Sequence, residues 1–275
     1  MSRFRVLMLA TVVHGVLTLP VRAAEEDATA LAKAAQNPVA DMASLPFQWN
    51  TNYNFGPLDR QQQVLNIQPV YPFHLNSDWN LITRTIVPVI SQPPLTPSQD
   101  RIDGIGDIQF SAFFSPVKPT EGGWIWGVGP IAQFDTATND RLGQGKYALG
   151  PTAVVLRVGK EWVTGALINQ VWSVAGDNDR ADVSQMLLQP FINYNFPHSP
   201  GRYLSFSPII TANWEAEYAR DVWTVPLGLG IGQIMRFGKQ PVNLQLSYYT
   251  NVEKPDFGPD YQVRFQLVFL FPKGS

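Results

Sequence analysis

From Phe47 almost to the C-terminus, apolar and polar residues alternate with a period of two, the repeat of a strand whose successive side chains stand on opposite faces. Phe47, Trp49, Thr51, Tyr53 and Phe55 alternate with Gln48, Asn50, Asn52 and Asn54. Leu65, Ile67, Pro69, Tyr71 and Phe73 oppose Asn66 and Gln68, and Trp79, Leu81, Thr83, Thr85, Val87 and Val89 oppose Asn80 and Arg84. The same count continues through strands near 105–114, 124–134, 146–156, 162–174, 185–196, 203–215, 222–235, 242–250 and 260–271, twelve in all. Only the strand from Trp162 has an ambiguous facing, because Asn169 and Gln170 fall on opposite parities.

Connection lengths alternate as well. Turns after the even strands are mostly short, whereas the loops around 91–103, 135–145, 175–183 and 251–259 are longer and hold most of the charge. An even strand count with short turns at one end predicts an all-β fold: a single transmembrane antiparallel β-barrel of about 12 strands over residues 47–275, placed in the outer membrane. Aromatics predict two girdles. Phe47, Phe73, Trp79, Phe114, Trp124, Trp162, Phe196, Tyr203 and Phe271 lie at the short-turn end, and Tyr53, Phe134, Tyr147, Trp172, Trp214, Trp223, Tyr248 and Tyr261 at the other. Pro69, Pro88, Pro130, Pro151, Pro190, Pro208 and Pro226 run against the pattern, since each removes a ladder donor; local bulges at those heights would reconcile them.

Ahead of the strands the pattern is different. Arg3 and Arg5, an apolar run from Val6 to Leu19 and the small-residue site Val21-Arg22-Ala23 predict an export signal over 1–23. Residues 24–46 read as a helical periplasmic arm or plug, with Asp27 capping a turn through Leu31, Ala34 and Ala35, and Asn37-Pro38 stopping it. A second turn through Met42 can follow, and Leu45-Pro46 ends the helix. Gly228, Gly230 and Gly232 share one lumen-facing parity, which leaves a bare strip against which this segment can lie.

The 20 Lys+Arg and 22 Asp+Glu of the full chain become 17 and 22 once Arg3, Arg5 and Arg22 leave with the signal, a net charge of −5 that argues against a nucleic-acid partner. The absence of cysteine excludes disulfides, thiolate nucleophiles, Cys-ligated metals and an N-terminal lipid anchor. After the signal only His74 and His198 remain, both in short turns, so no Ser-His pair is expected at the outer rim and no catalytic residue, cofactor or metal is assigned. Asp177-Asn178-Asp179-Arg180-Ala181-Asp182 starts like a calcium loop but has Asp182 where the turn needs Gly and Leu188 where a bidentate Glu is required; a loose divalent site bridging lipopolysaccharide is the alternative to a solvated acidic loop.

The lumen parity is dominated by amides. Gln68, Gln109, Gln189, Asn213, Gln245 and Gln266 are expected to line a narrow pore or partly plugged lumen, as twelve strands fall between filled and open barrels. Arg84, Glu215 and Arg264 are the charges expected at a constriction; the alternative is that they neutralise one another in a packed interior.

Several strings also carry a family likeness. Asn37-Pro38-Val39-Ala40 with Ser44-Leu45-Pro46-Phe47-Gln48, Trp79-Asn80-Leu81-Ile82-Thr83-Arg84-Thr85, Trp126-Gly127-Val128-Gly129-Pro130, Leu149-Gly150-Pro151-Thr152-Ala153-Val154 and Phe237-Gly238-Lys239-Gln240-Pro241-Val242 resemble bacterial neuromedin-U-like exported proteins. Those in turn resemble the meta-pathway phenol-degradation family of outer-membrane transporters. The resemblance implies a barrel with a transport role and names no substrate. The expectation is passive, porin-like passage of small solutes, uncharged or aromatic, with outer-membrane lipid and lipopolysaccharide as the surroundings. The alternative is a closed barrel with a structural or adhesive envelope role. Nothing in the sequence marks an oligomer face.

Overall fold

The computed structural model describes residues 18–272, with side chains from Asp27 onward; residues 1–17, which hold most of the predicted signal, lie outside the described residues. A helix, α1 (Thr18–Ala35), precedes the strand segments β1 (Ala43–Phe55), β2 (Arg60–Ile67), β3 (Val70–His74), β4 (Trp79–Gln92), β5 (Ile102–Ile105), β6 (Ile108–Pro116) and β7 (Trp124–Phe134). These are followed by β8 (Lys146–Val158), β9 (Trp162–Gly176), β10 (Ser184–Asn195), β11 (Arg202–Phe206), β12 (Ile210–Asn213), β13 (Trp223–Phe237), β14 (Gln240–Glu253) and β15 (Tyr261–Phe271).

Each strand pairs antiparallel with its neighbours, and β15 returns to β1 in unbroken register from Ala43↔Phe271 to Tyr53↔Tyr261. The sheet is therefore a closed barrel without a free edge. β2 with β3, β5 with β6, and β11 with β12 are each one stave interrupted, so the segments build twelve staves.

The interruptions have local causes. Gln68-Pro69 separates β2 from β3 and Ser207-Pro208-Ile209 separates β11 from β12, where a residue without an N–H cannot keep the ladder. At the third, Gly106 donates to the Pro88 carbonyl at 2.9 Å while Asp107 turns away to hold a loop. Pro226 sits beside a register shift in β13. Pro88, Pro130, Pro151 and Pro190 stay inside continuous strands, with Pro130 directly opposite Pro151. The expected bulge thus occurs beside Pro226, whereas the ladder keeps its register across the breaks at Pro69 and Pro208.

The barrel is turned inside out relative to a soluble protein. Leu229 and Ile231 are each 52% exposed on the outer face, while Asn50 is 5% exposed within. An apolar exterior over a closed barrel suits a hydrocarbon surround. Paired aromatics mark both rims: Trp79 with Trp126 and Trp162 with Tyr194 at the short-turn end, Trp214 with Trp223 and Tyr53 stacked on Tyr261 at the long-loop end. The structure settles the facing of β9. Leu167 and Asn169 line the interior, and Ile168 and Trp172 face out. Gln170 also faces out, where Trp214 Nε1 donates to its Oε1 at 2.9 Å.

β1 begins at Ala43, four residues before the sequence pattern predicts, and contains Leu45-Pro46. Pro46 stays in the ladder through its carbonyl, which accepts Gln68 N at 2.9 Å. No second helical turn forms through Met42; instead the Asn37 side chain accepts Val39 N at 3.0 Å, an Asx-turn that redirects the chain from α1 into β1.

Candidate functional site: the barrel interior

The N-terminal segment lies within the short-turn mouth. Leu31, Ala32 and Met42 are buried against Tyr203, Ile234, Val268 and Leu270, and Val39 against Ile82, Phe113, Leu156 and Phe191. Polar anchors surround these contacts. Lys33 Nζ donates to the carbonyls of Gly159 (3.0 Å) and Lys160 (2.6 Å), Gln36 and Asn195 exchange amide hydrogen bonds, and Arg236 pairs with Asp27.

Above this floor is a cavity of about 440 Å³, within the range of small-molecule sites. Gln68, Arg84, Gln109, Gln189, Gln245, Arg264 and Gln266 line it, together with Ala34, Gln36, Pro38 and Met42 from the floor. Of the other residues singled out in the sequence, Asn213 is at the end of β12 and outside the lining, and Glu215 is exposed in the following turn. Glu215 forms no ion pair with either arginine, so neither a shared constriction nor mutual neutralisation describes these three charges.

The amides are joined across strands. Gln262 donates to Asn52 (2.8 Å), Asn52 to Gln62 (2.7 Å) and Gln62 to Gln92 (2.7 Å), forming a belt over β15, β1, β2 and β4. On the next staves, β6 and β7, Gln109 donates to Gln133, and Gln133 to Gln144 in the following loop. These amides satisfy one another, whereas the buried Asn80 Oδ1 finds no partner among the described residues.

The two lumen arginines differ in their commitments. Arg264 donates from Nε to Asn50 (3.1 Å), from Nη2 to Gln262 (3.0 Å) and from Nη1 to the Ser207 carbonyl (3.3 Å), and its guanidinium lies 4.8 Å over the Tyr249 ring. That carbonyl belongs to the break between β11 and β12 and also accepts Tyr249 Oη at 3.1 Å, so Arg264 mends a gap in the wall. Arg84 gives a single hydrogen bond, from Nη2 to Gln68 Oε1, and no carboxylate pairs with it among the described residues.

Two features were missed from the sequence. The sequence pattern places Tyr203 in the girdle at the short-turn end, but it is 1% exposed inside the barrel, opposite Gly232, with its hydroxyl 3.0 Å from both Asn243 Oδ1 and Gln245 Oε1. Tyr249 likewise lies opposite Gly228. The glycine strip is therefore roofed chiefly by these rings and Ser247, and α1 docks farther along, at Ile234. The second feature is an apolar side to the lumen: Ile82, Phe113, Val154, Leu156, Leu167 and Phe191 form one cluster. Ile82 shares its parity with Asn80 and Arg84, so the signal was present in the pattern.

The long loops bind their charges internally. Arg141 donates to the carbonyls of Asp100 and Pro93, Arg180 to those of Asp140 and Gly143, and Asp107 accepts the backbone N–H groups of Thr136, Ala137 and Gln144. Asp182 is drawn to Lys146 and Asp177 accepts Asp179 N, so the acidic loop does not gather a metal cage; no group of three potential ligands forms among the described residues.

No protein-family model and no curated protein matches the sequence. Among solved structures the chain is similar to an outer membrane channel from Pseudomonas putida F1, with 17% identity and a TM-score of 0.62 over 84% of this chain and 94% of that one. It is also similar to the NanC porin, with 10% identity and a TM-score of 0.51 over 84% of this chain and 99% of that one. At these identities the likeness is one of fold, and it places the chain among antiparallel barrels of the outer-membrane type.

Proposed function

We propose that this protein is an outer-membrane channel for small solutes whose periplasmic mouth is gated by its own N-terminal segment. The observation that carries the reading is the 440 Å³ interior cavity with a floor made by residues 34–42 and walls of amides, two arginines and an apolar cluster. The fold likeness to an outer membrane channel and a porin supports it. So does the sequence resemblance to neuromedin-U-like exported proteins and the phenol-degradation family. Selectivity would then come from pore width, hydrogen-bonding groups and a few charges, without covalent chemistry.

The floor is displaceable on energetic grounds. Burial of Leu31, Val39 and Met42 is worth about 1.5–3 kcal/mol each, whereas ordering a residue costs about 1–2 kcal/mol. Alanine fills much of the rest of the interface and adds little. The test is single-channel recording of the refolded mature protein beside a variant lacking residues 25–42, which leaves β1 whole. Discrete steps that grow on deletion are expected; a barrel that passes neither ions nor solutes in both forms would return the protein to a structural or adhesive envelope role.

A further inference from the structure

We infer that Arg84 forms, within the channel proposed above and resting on that reading, a binding site for organic monocarboxylates that carry an apolar body, such as arylalkanoates. The argument starts from the imbalance of charge in the cavity. Its lining contains Arg84, Arg264 and Asp107. Asp107 is held by three backbone N–H groups of the 136–144 loop. Arg264 is spent on Asn50, Gln262 and the Ser207 carbonyl. Arg84 has only Gln68 as an acceptor, although a guanidinium has five N–H donors in a fork that matches a carboxylate.

The neighbours of Arg84 define the rest of the ligand. Ile82 and Ile86 flank it on the same face of β4, about 7 Å away by strand geometry, and Ile82 pairs with Phe113 across the ladder. Ile86, Phe113, Ile131, Leu167, Leu187 and Phe191 all line the same cavity. A cationic fork bordered by an apolar wall suits a solute with a charged head and a hydrocarbon or aromatic body. One uncommitted guanidinium balances one charge, and Asp107 in the same cavity disfavours a dianion. This keeps the aromatic part of the sequence expectation and replaces its uncharged solutes with organic acids.

The probes are 3-phenylpropionate, its neutral amide and propionate, measured by equilibrium dialysis against the refolded mature protein in detergent and by flux and reversal potential in bilayers. The acid should bind at least tenfold tighter than either the amide or propionate, and anions should be favoured in the reversal potential. Arg84→Gln should bring acid and amide within twofold of each other, Arg84→Lys should keep part of the preference, and Leu187→Asn should erase the advantage over propionate. Heat-modifiable gel mobility checks that each variant closes its barrel. A protein that conducts but binds acid and amide alike, or favours cations, overturns the carboxylate site and leaves the channel intact. A protein that conducts in no form overturns the channel, while dialysis still decides the site.

Discussion

A methyl group added at Gly232 would stand 2.1 Å from Cζ of Tyr203, a distance no side chain tolerates. Gly232→Ala should therefore displace the ring and cost about 1–3 kcal/mol as an overpacked interior, read as a lower unfolding temperature of the refolded barrel. Tyr203→Phe keeps the ring but strips Asn243 and Gln245 of their shared hydroxyl, with an expected loss of about 1–3 kcal/mol. The glycine parity was legible in the sequence, but its occupant was not: a tyrosine at a strand start looks the same whether it faces lipid or covers a glycine. Loop charges were equally deceptive, since Arg141 and Arg180 are donors to backbone carbonyls. Lys146 and Ser173, by hydrogen bonds, hold the Asp182 carboxyl below its ordinary value of 3.8. A depressed carboxyl contributes stability above its ordinary range and loses it as pH falls through the depressed value. Protection factors of amides in the 177–183 loop, taken against the intrinsic exchange rate at each pH, should hence be highest near neutrality and fall below about pH 3.8, and Asp182→Asn should remove that dependence.

Elements were the most legible scale, because a period of two survives any uncertainty about which residues fill the lumen. Strand existence and facing follow from it, and the ambiguous β9 resolves once Trp214 is seen to satisfy Gln170. The breaks within staves were less legible, since seven interior prolines look alike, only two of them fall in a break, and the third break, at Gly106-Asp107, contains none. The end of α1 at Asn37-Pro38 was legible, but the second turn through Met42 was not: an Asx-turn at Asn37 competes with a further helical turn and wins by feeding β1. α1 also gives a prediction at its own scale. Lys33→Ala removes two hydrogen bonds to the β8–β9 turn, and a loss of about 0.5–1.5 kcal/mol corresponds to a two- to tenfold rise in the open fraction of the gate. Single-channel dwell times measure this directly, and unchanged dwell times would mean that the lysine does not hold the gate.

For the whole molecule, closure of the barrel rests on β1 meeting β15, the first and last strands of the chain. Fold class was legible here because strand number and alternating loop lengths are global features of the sequence. The partition of the lumen into an amide side and an apolar side was not, as it depends on which staves come to face each other. Closure has a consequence for biogenesis. The segment that fills the mouth is made first, yet the wall that receives it includes Val268 and Leu270 of the last strand. Its docking is thus a receipt for completed assembly: an unfinished barrel leaves the N-terminal segment open to proteases. Protease protection of residues 27–42 should arise no earlier than the compact, heat-modifiable form, and a chain truncated before Tyr261 should never acquire it.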